Sequence, residues 1–486
     1  MDSPQNIPKN WSLVKVGDIS LRIHYGYTAS SITKNTGTKI LRITDIQDHN
    51  VTWDEVPYCE IDEYDISKFQ LTQNDILFAR TGATVGKSFL IAGKIPQAVF
   101  ASYLIRIQLS SYVVPRYVYY FFQSAEYWRQ IKNKAIGTGQ PNVNATALSE
   151  ITLLIPTVKE QHGISDKIEE LLSELDKSFE NLEKAKKQLV IYRQALLKVA
   201  FEGKLTKNWR SEQSKLKKPL DILQDNLVKR KEYWEESRRE EFRQKKNFPK
   251  NEEWKKQYKA PKKAEPLDFK IPDEWIVCSW DQISNRVTYG FTKPVYHRES
   301  GYPIITAKNV NNNKIDFSVI NYTSKEIFDS LSEKDKPKDG DILITKDGSL
   351  GRAAIVRKNA FCITQSVAVI WLRTTKINRE FLLYYLESPF VQAWIKNNAQ
   401  GSTIKHLSIS DFPKLGIPLP TYQEQEHIVR EIETKLSLIE NLHFTINQSL
   451  KKIDSFRLQI LNKAFSGQLI ESSMFEAGKD NLVEQI

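Results

Sequence analysis

The chain repeats itself at a shift of 264 residues, and no local motif constrains its fold as strongly. Ile7-Pro8 and Trp11 return as Ile271-Pro272 and Trp275, and Tyr25-Gly26-Tyr27-Thr28 returns as Tyr289-Gly290-Phe291-Thr292. The register survives to the far end. Pro156-Thr157 and Glu160-Gln161 match Pro420-Thr421 and Glu424-Gln425; Ala200-Phe201, Gly203 and Leu205 match Ala464-Phe465, Gly467 and Leu469. Solenoid repeats have periods of a few tens of residues, so a unit this long is a duplicated domain. Two copies predict a pseudo-two-fold object that meets two similar things at a fixed separation.

Each copy closes with a helical pattern. Ile164, Ile168, Leu171, Leu175, Phe179, Leu182, Leu189 and Leu196 recur at spacings of three, four and seven. Ile428, Ile432, Leu436, Ile439, Leu442, Ile446, Ile453 and Ile460 do the same. That period marks a coiled-coil seam. The stretch from Ile164 to Ala200 makes a rod of roughly 55 Å at 1.5 Å per residue. The seam needs a cover. The other copy can supply it, and the alternative is a helix lying on its own domain.

Ahead of each rod lies a mixed region. β-rich runs at Lys39–Ile46, Asp75–Phe78, Ser88–Ile91 and Tyr103–Leu109 are separated by Gly, Asn, Asp and Thr turns. An aromatic-rich helical stretch, Arg116–Lys132, has its counterpart at Arg379–Lys396. The fold class is therefore α+β, with two globular domains in tandem, each followed by a long helix. The expected boundaries are 1–157 and 271–421 for the globular domains, 158–206 and 422–470 for the long helices, 207–270 for a charged helical linker and 471–486 for a tail.

Net charge is +11, but its distribution is uneven. Lys207 to Lys270 holds 20 Lys/Arg against 12 Asp/Glu, so most of the excess lies between the repeats. A basic chain suits a nucleic-acid partner, and any such face on the repeats must be a local patch. Pro219 to about Lys246 reads as a solvated helix laced with Glu–Lys/Arg pairs, followed by a Lys/Pro-rich stretch, Lys259–Pro266. Tyr233 and Trp234 leave docking on a partner or on the rods open. With 40% apolar residues the chain can bury cores, yet runs such as Val118–Phe122 and Val367–Leu372 are too short to span a bilayer. The sequence beginning Met1-Asp2-Ser3-Pro4 lacks a signal-peptide pattern, and Cys59, Cys278 and Cys362 form no disulfide framework or Cys-x-x-Cys pair. These features predict a cytoplasmic protein with no membrane partner.

Catalytic signatures are absent from the sequence: no P-loop, no His-Glu-x-x-His, no Asn/Asp-Pro-Pro-aromatic tetrad and no metal-ligand cluster among the seven histidines. Binding signals are better. Asp75-Ile-Leu-Phe-Ala-Arg80-Thr81-Gly82-Ala-Thr-Val-Gly86-Lys87 and Asp341-Ile-Leu-Ile-Thr-Lys346-Asp347-Gly348-Ser-Leu-Gly351-Arg352 each read as strand, basic residue, glycine-bracketed turn, basic residue, strand. Glycine amides beside Arg or Lys suit a phosphate or a base edge; the competing reading is a hairpin with solvated charges. The candidates are Arg80, Thr81, Gly82 and Lys87 in the first copy, and Lys346, Gly348 and Arg352 in the second. Tyr25, Thr28 and Lys293 lie in aromatic turns that either rest on a sugar–phosphate edge or anchor the core. Thr138, Gln140 and Asn142, and Ser402 and Lys405, lie in polar loops before the closing strand.

The combination resembles the specificity subunit of type I restriction–modification systems. The residues that carry it are the Asp-Ile-Leu-Phe-x-Arg-x-Gly block at 75–82 and its partner at 341–348; Ile155-Pro156 with Glu160-Gln161 and Leu419-Pro420 with Glu424-Gln425; and the rod ends from Tyr192-Arg193 to Leu205 and from Phe456-Arg457 to Leu469. The likeness runs from about 7 to 470. It departs at the second turn, where Lys346-Asp347 stands for Arg80-Thr81 and the loop is one residue shorter.

The resemblance implies two target recognition domains, each reading half of a bipartite asymmetric site in double-stranded DNA, and two rods paired antiparallel as a ruler. Glu160, Gln161, Ile168, Leu175 and Leu182, with Glu424, Gln425, Ile432, Ile439 and Ile446, would form the helix seam or meet a partner. Two modification subunits would bring S-adenosylmethionine, and two restriction subunits ATP and Mg²⁺. This chain would hold no cofactor or metal and catalyse nothing. A methyltransferase-only or other phage-defence complex, and a coiled-coil scaffold without sequence preference, are the alternative readings.

Overall fold

The computed structural model describes residues 8, 10–47, 50–134, 142–213, 217–357, 360–401 and 405–470. The chain divides into two units, Met1–Lys184 with Ile446–Ile486, and Ala185–Thr445.

The first unit is built on a four-stranded antiparallel sheet in the order Ser20–Tyr25, Leu104–Leu109, Ile76–Ala79, Ser88–Leu90. Ile76 pairs with Ile107 and His24 with Arg106. A small parallel pair, Lys39–Leu41 with Ala98–Phe100, forms a second layer. Ser12–Lys15 pairs with Thr152–Ile155 and brings the two ends of the domain together. The second unit repeats this plan with Arg286–Tyr289, Val367–Trp371, Ile342–Thr345 and Ala353–Ile355, and with Ile276–Ser279 paired to Gly416–Leu419.

Two of the expected elements are broken, for identifiable reasons. The run Lys39–Ile46 is a strand only to Leu41. The Asp45 carboxylate accepts from the Arg42 amide at 2.8 Å and pairs with its guanidinium at 2.7 Å, which coils Ile43–Asp45 into a tight turn. The helical stretch from Arg116 is two helices, Pro115–Phe121 and Ala125–Lys134, and its counterpart is Arg379–Glu387 and Pro389–Asn398. Ser388 stops one helix and caps the next, taking the Val391 amide, with Pro389 in the first-turn position where its missing N–H costs nothing.

These helices bury Tyr117, Phe121, Phe122 and Tyr127 against Phe78, Ile105 and Ile107 in the first unit. Phe381, Leu382, Tyr385 and Leu386 pack against Ile342, Ile344 and Ile370 in the second. The buried phenols are not orphaned: Tyr117 donates to the Leu154 carbonyl at 2.7 Å, Tyr127 to Gly86 at 2.6 Å and Tyr385 to Gly416 at 2.6 Å.

The rods are longer than their sequence seam. The first long helix is Val158–Phe201 and the second Tyr422–Phe465, 44 residues each, or about 66 Å at 1.5 Å per residue. Within the first unit, Ile164 and Ile168 share a core with Leu461 and Ala464, and Asp176 pairs with Arg457, so the two segments run antiparallel. Within the second, Leu196, Leu197, Ala200 and Phe201 join Ile428, Ile432, Leu436 and Ile439. Ile446 and Ile453 are buried too, and Leu175 and Leu182 are half-buried. Two residues assigned to the stripe are not covered: Phe179 is 45% and Leu442 54% exposed.

Each long helix starts with a latch. Gln161 accepts from the Val114 amide at 2.7 Å and donates to the Pro156 carbonyl at 3.0 Å. Gln425 does the same with Asn378 at 2.9 Å and Pro420 at 3.1 Å. Glu160 receives the Asn10 amide at 3.0 Å and the Trp11 indole at 3.5 Å; Glu424 receives the Trp275 indole at 3.0 Å, the Thr206 hydroxyl at 2.7 Å and Arg210 at 3.2 Å. These four residues were expected to form the helix seam or to meet a partner. All four are buried, and the bonds named are made inside their own unit.

The charged segment is part of the second unit and docks on the globular domain that follows it. Pro219–Gln244 is a helix. Its inner half is clipped to that domain through Asn226 to the Gln282 carbonyl, Arg230 to the Ser284 carbonyl and Asp281, and Tyr233, whose hydroxyl accepts from Arg373. Trp234 stacks on Trp254 with Tyr258 edge-on. Among the described residues no helix is long and apolar enough to cross a membrane, and no His/Cys/Asp/Glu group could hold a metal ion.

Candidate nucleic-acid interface

Two glycine turns carry most of the candidate residues, one in each unit. In the first, the strand Ile76–Ala79 ends at Arg80 and the chain turns through Gly82–Thr84 to Ser88–Leu90. Gly82 and Gly86 both have φ near +81°, the left-handed region that favours glycine. A Cβ at Gly82 would meet nothing, so this tip is open; one at Gly86 would press on Trp128 and Tyr127.

The block begins with Asp75 for a structural reason. Its buried carboxylate takes the Thr72 amide at 2.9 Å and pairs with buried Arg106 at 3.1 Å. The second copy, Asp341, takes the amides of Lys338 and Leu372 at 2.9 and 3.0 Å, and its burial pushes its pKa up.

Around the first turn the fold gathers residues distant in sequence. The Arg80 guanidinium lies 4.7 Å from the Tyr25 ring centroid. Thr81 bridges to Asn142, and the Val143 amide donates to the Arg80 carbonyl at 3.0 Å. The Tyr25 hydroxyl accepts from the Ala145 amide at 3.2 Å. Tyr25, Arg80, Thr81, Gly82 and Asn142 therefore form one face. Thr28 and Lys87 are exposed. Thr138 and Gln140 lie outside the described residues.

The Tyr-Gly turn also anchors the core. A Cβ on Gly26 would stand 2.2 Å from the Phe100 carbonyl oxygen, and one on Gly290 1.8 Å from that of Ile363. Only glycine permits this approach.

His24 supports the same face from below. Arg106 donates to its Nε2 from Nε at 3.0 Å, and the other ring nitrogen, Nδ1, lies 3.1 Å from the Tyr25 carbonyl. A guanidinium can only donate, so Nε2 is an acceptor and the ring is neutral. Burial, then Arg106 and Arg22, bring its pKa down to about 4.

The second unit builds the corresponding face with different chemistry. Lys346 Nζ lies 5.4 Å from the Tyr289 ring centroid. The Leu407 amide donates to the Lys346 carbonyl at 2.8 Å, and Asp347 bridges to His406. Lys346 pairs with Asp347 at 2.8 Å, and His406 Nδ1 meets the same carboxylate at 2.7 Å. Gly348, with φ +78°, again has open space above it. Arg352 is exposed and bonded to Asn311 Oδ1. Lys293 and Lys405 are exposed, and Ser402 lies outside the described residues.

Tyr289 lies in the second aromatic turn and His406 ends the second polar loop, but spacing along the chain does not single out either of them, or Asp347, as a contact. The 264-residue shift already maps Tyr25 to Tyr289 and Asn142 to His406, so the repeat held that signal.

Two domains with equivalent surface faces but unequal side chains, each carried on a long helix, define a class: a tandem DNA-specificity protein. The chain belongs to the type I restriction modification DNA specificity domain family, whose model matches residues 8–190 and 283–452. It is 27% identical to the type I restriction enzyme EcoBI specificity subunit of Escherichia coli over 68% of this chain and 60% of that subunit. Against the EcoKI specificity subunit of Escherichia coli K12 it is 22% identical over 96% of this chain and 91% of that one. Among solved structures, the HsdS subunit from Thermoanaerobacter tengcongensis superposes with a TM-score of 0.59 at 17% identity, covering 96% of this chain and 99% of that one, and so shares its fold.

Proposed function

We propose that this chain reads a bipartite, asymmetric DNA site, one half with each glycine-turn face, and directs methyltransferase and restriction subunits to it. The observation that carries this reading is the pair of equivalent but chemically unequal faces. The face with Arg80 on Tyr25 and Thr81 against Asn142 contains no acid among its described contacts, whereas the face with Lys346 on Tyr289 includes Asp347 and His406. Equal faces would suit a palindrome; unequal ones suit two different half-sites.

Arg80, Thr81, Gly82, Lys87, Asn142 and Tyr25 serve the first half-site. Lys346, Gly348, Arg352, Lys293 and Lys405 serve the second. Two modification subunits supply S-adenosylmethionine, and two restriction subunits supply ATP and Mg²⁺ chemistry; this chain contributes specificity alone and works in the cytoplasm of a prokaryote. The long helices set the spacing of the half-sites. One heptad is about 10.5 Å, close to three base pairs at 3.4 Å each.

The test is base-resolved mapping of adenine methylation in cells that express this chain with a modification subunit. A two-part motif with a fixed gap is expected. A stable complex that methylates without any motif refutes the reading and leaves a scaffold. Removing one matched heptad from both long helices should shift the gap; an unchanged gap in an active complex rules out the ruler.

A further inference from the structure

We propose that the two faces read bases with opposite hydrogen-bonding sense, and that Asp347, held in place by His406 and Lys346, forms an acceptor site for an exocyclic base amino group, adenine N6 or cytosine N4, in the second half-site. The proposal rests on the reading of the glycine turns as DNA contacts. It goes further by naming the accepting carboxylate and the chemical group it takes.

The argument starts from what each side chain can offer. At the first face Arg80 is a pure donor, and its natural base partners are guanine O6 and N7. At the second face the corresponding bridge holds Asp347 and His406. Lys346 Nζ and His406 Nδ1 both reach the same oxygen, Oδ1, of Asp347. No described residue bonds Oδ2. A carboxylate only accepts, so His406 Nδ1 donates to Oδ1 as Lys346 does, and Oδ2 of Asp347 is left as a free acceptor. The His406 side chain is half exposed.

DNA limits what can meet such a carboxylate. Phosphate oxygens offer no donor and repel a carboxylate, which Lys346 neutralises only locally. In the major groove the amino groups of adenine and cytosine are the donors; guanine and thymine put acceptors there. A carboxylate oxygen at this position therefore selects A or C and rejects G and T by setting lone pair against lone pair. Gly348, with open space over its Cα, lets the backbone of this turn approach the groove.

The test uses the whole chain with its modification subunit. Adenine methylation is mapped for the wild type, Asp347→Asn and His406→Gln. The first half-site should be unchanged in every case, which also reports that each variant folds. One position of the second half-site should relax, with preference for A or C falling roughly tenfold. An unchanged second half-site in both variants overturns the proposal. A wild type without a bipartite motif would instead overturn the function it rests on. Should a variant methylate nowhere, binding decides: duplexes in which each A or C of the second half-site is replaced by an analogue lacking the amino group should bind the wild type roughly tenfold more weakly at one position and Asp347→Asn equally well. A wild type indifferent to every such replacement sinks the idea.

Discussion

At the scale of single residues, the two halves differ most visibly in the side chains of their exposed turns. Arg80 rests on Tyr25 without an acid partner among the described residues. Arg80→Ala should weaken binding to the first half-site and spare the second. If the guanidinium reads a base, one position relaxes at a cost of roughly 1–3 kcal/mol; if it touches phosphate, affinity falls for all sequences and the salt slope flattens. Binding titrations at several salt concentrations, with each half-site scrambled in turn, separate the two. Loss at the second half-site instead would contradict the assignment.

The buried latches make a sharper comparison. Glu424 meets Arg210, whose side chain is 11% exposed, together with Trp275 and Thr206, while Glu160 receives Asn10 and Trp11, both neutral. Glu424→Ala leaves the Arg210 cation with only the Gly203 carbonyl to accept from it and should cost about 3–5 kcal/mol. Glu160→Ala leaves only neutral donors unsatisfied and should cost about 1–3 kcal/mol. Urea unfolding of the two variants gives the order, and equal losses would show that Arg210 finds another acceptor.

Elements were legible from the sequence where a period or a turn residue spoke. Both long helices, the helix from Pro219 and the strands at Ile76 and Leu104 lie close to where the spacing puts them. The breaks at Ser388-Pro389 and Arg42–Asp45 depend on capping side chains, which a window of apolar residues does not register. His24 shows an element tuned from below. Its folded pKa, about 4, is depressed from the ordinary 6.5, so below pH 6.5 the unfolded chain takes up a proton that the folded one refuses. Stability contributed by His24 is complete above pH 6.5 and declines as pH falls toward 4. The loss should stay under the one-proton limit of about 1.4 kcal/mol per pH unit, because the ring is only half-buried. His24→Gln should remove this part of the slope between pH 6.5 and 5, where carboxylates barely titrate. Parallel unfolding curves for wild type and variant would refute it.

At the scale of the whole molecule, each recognition domain is finished by the end of a long helix from the other copy. Phe465 packs edge-on against Tyr117 and Phe121 at 5.2 and 5.5 Å, and Phe201 packs on Phe381 and Tyr385 at 5.3 and 5.0 Å. A fragment of about 1–206 keeps Tyr117 and Phe121 but loses Phe465, while its own Phe201 loses Phe381. Two copies can satisfy both needs by exchanging helix ends, so the fragment should dimerise and, with a modification subunit, methylate a palindrome of the first half-site. Sedimentation that shows a strict monomer would contradict this.

Repeats, heptads and glycine positions are local or periodic signals, so the duplication, the two long helices, the family and the turns that carry the basic residues are all legible along the chain. The fold alone shows that Glu160 and Glu424 are buried latches, that the charged helix is clipped to the second domain, and that Asp347 meets His406 across 59 residues of chain. Each of these depends on which side chains share a buried or facing position, and spacing along a chain does not encode that.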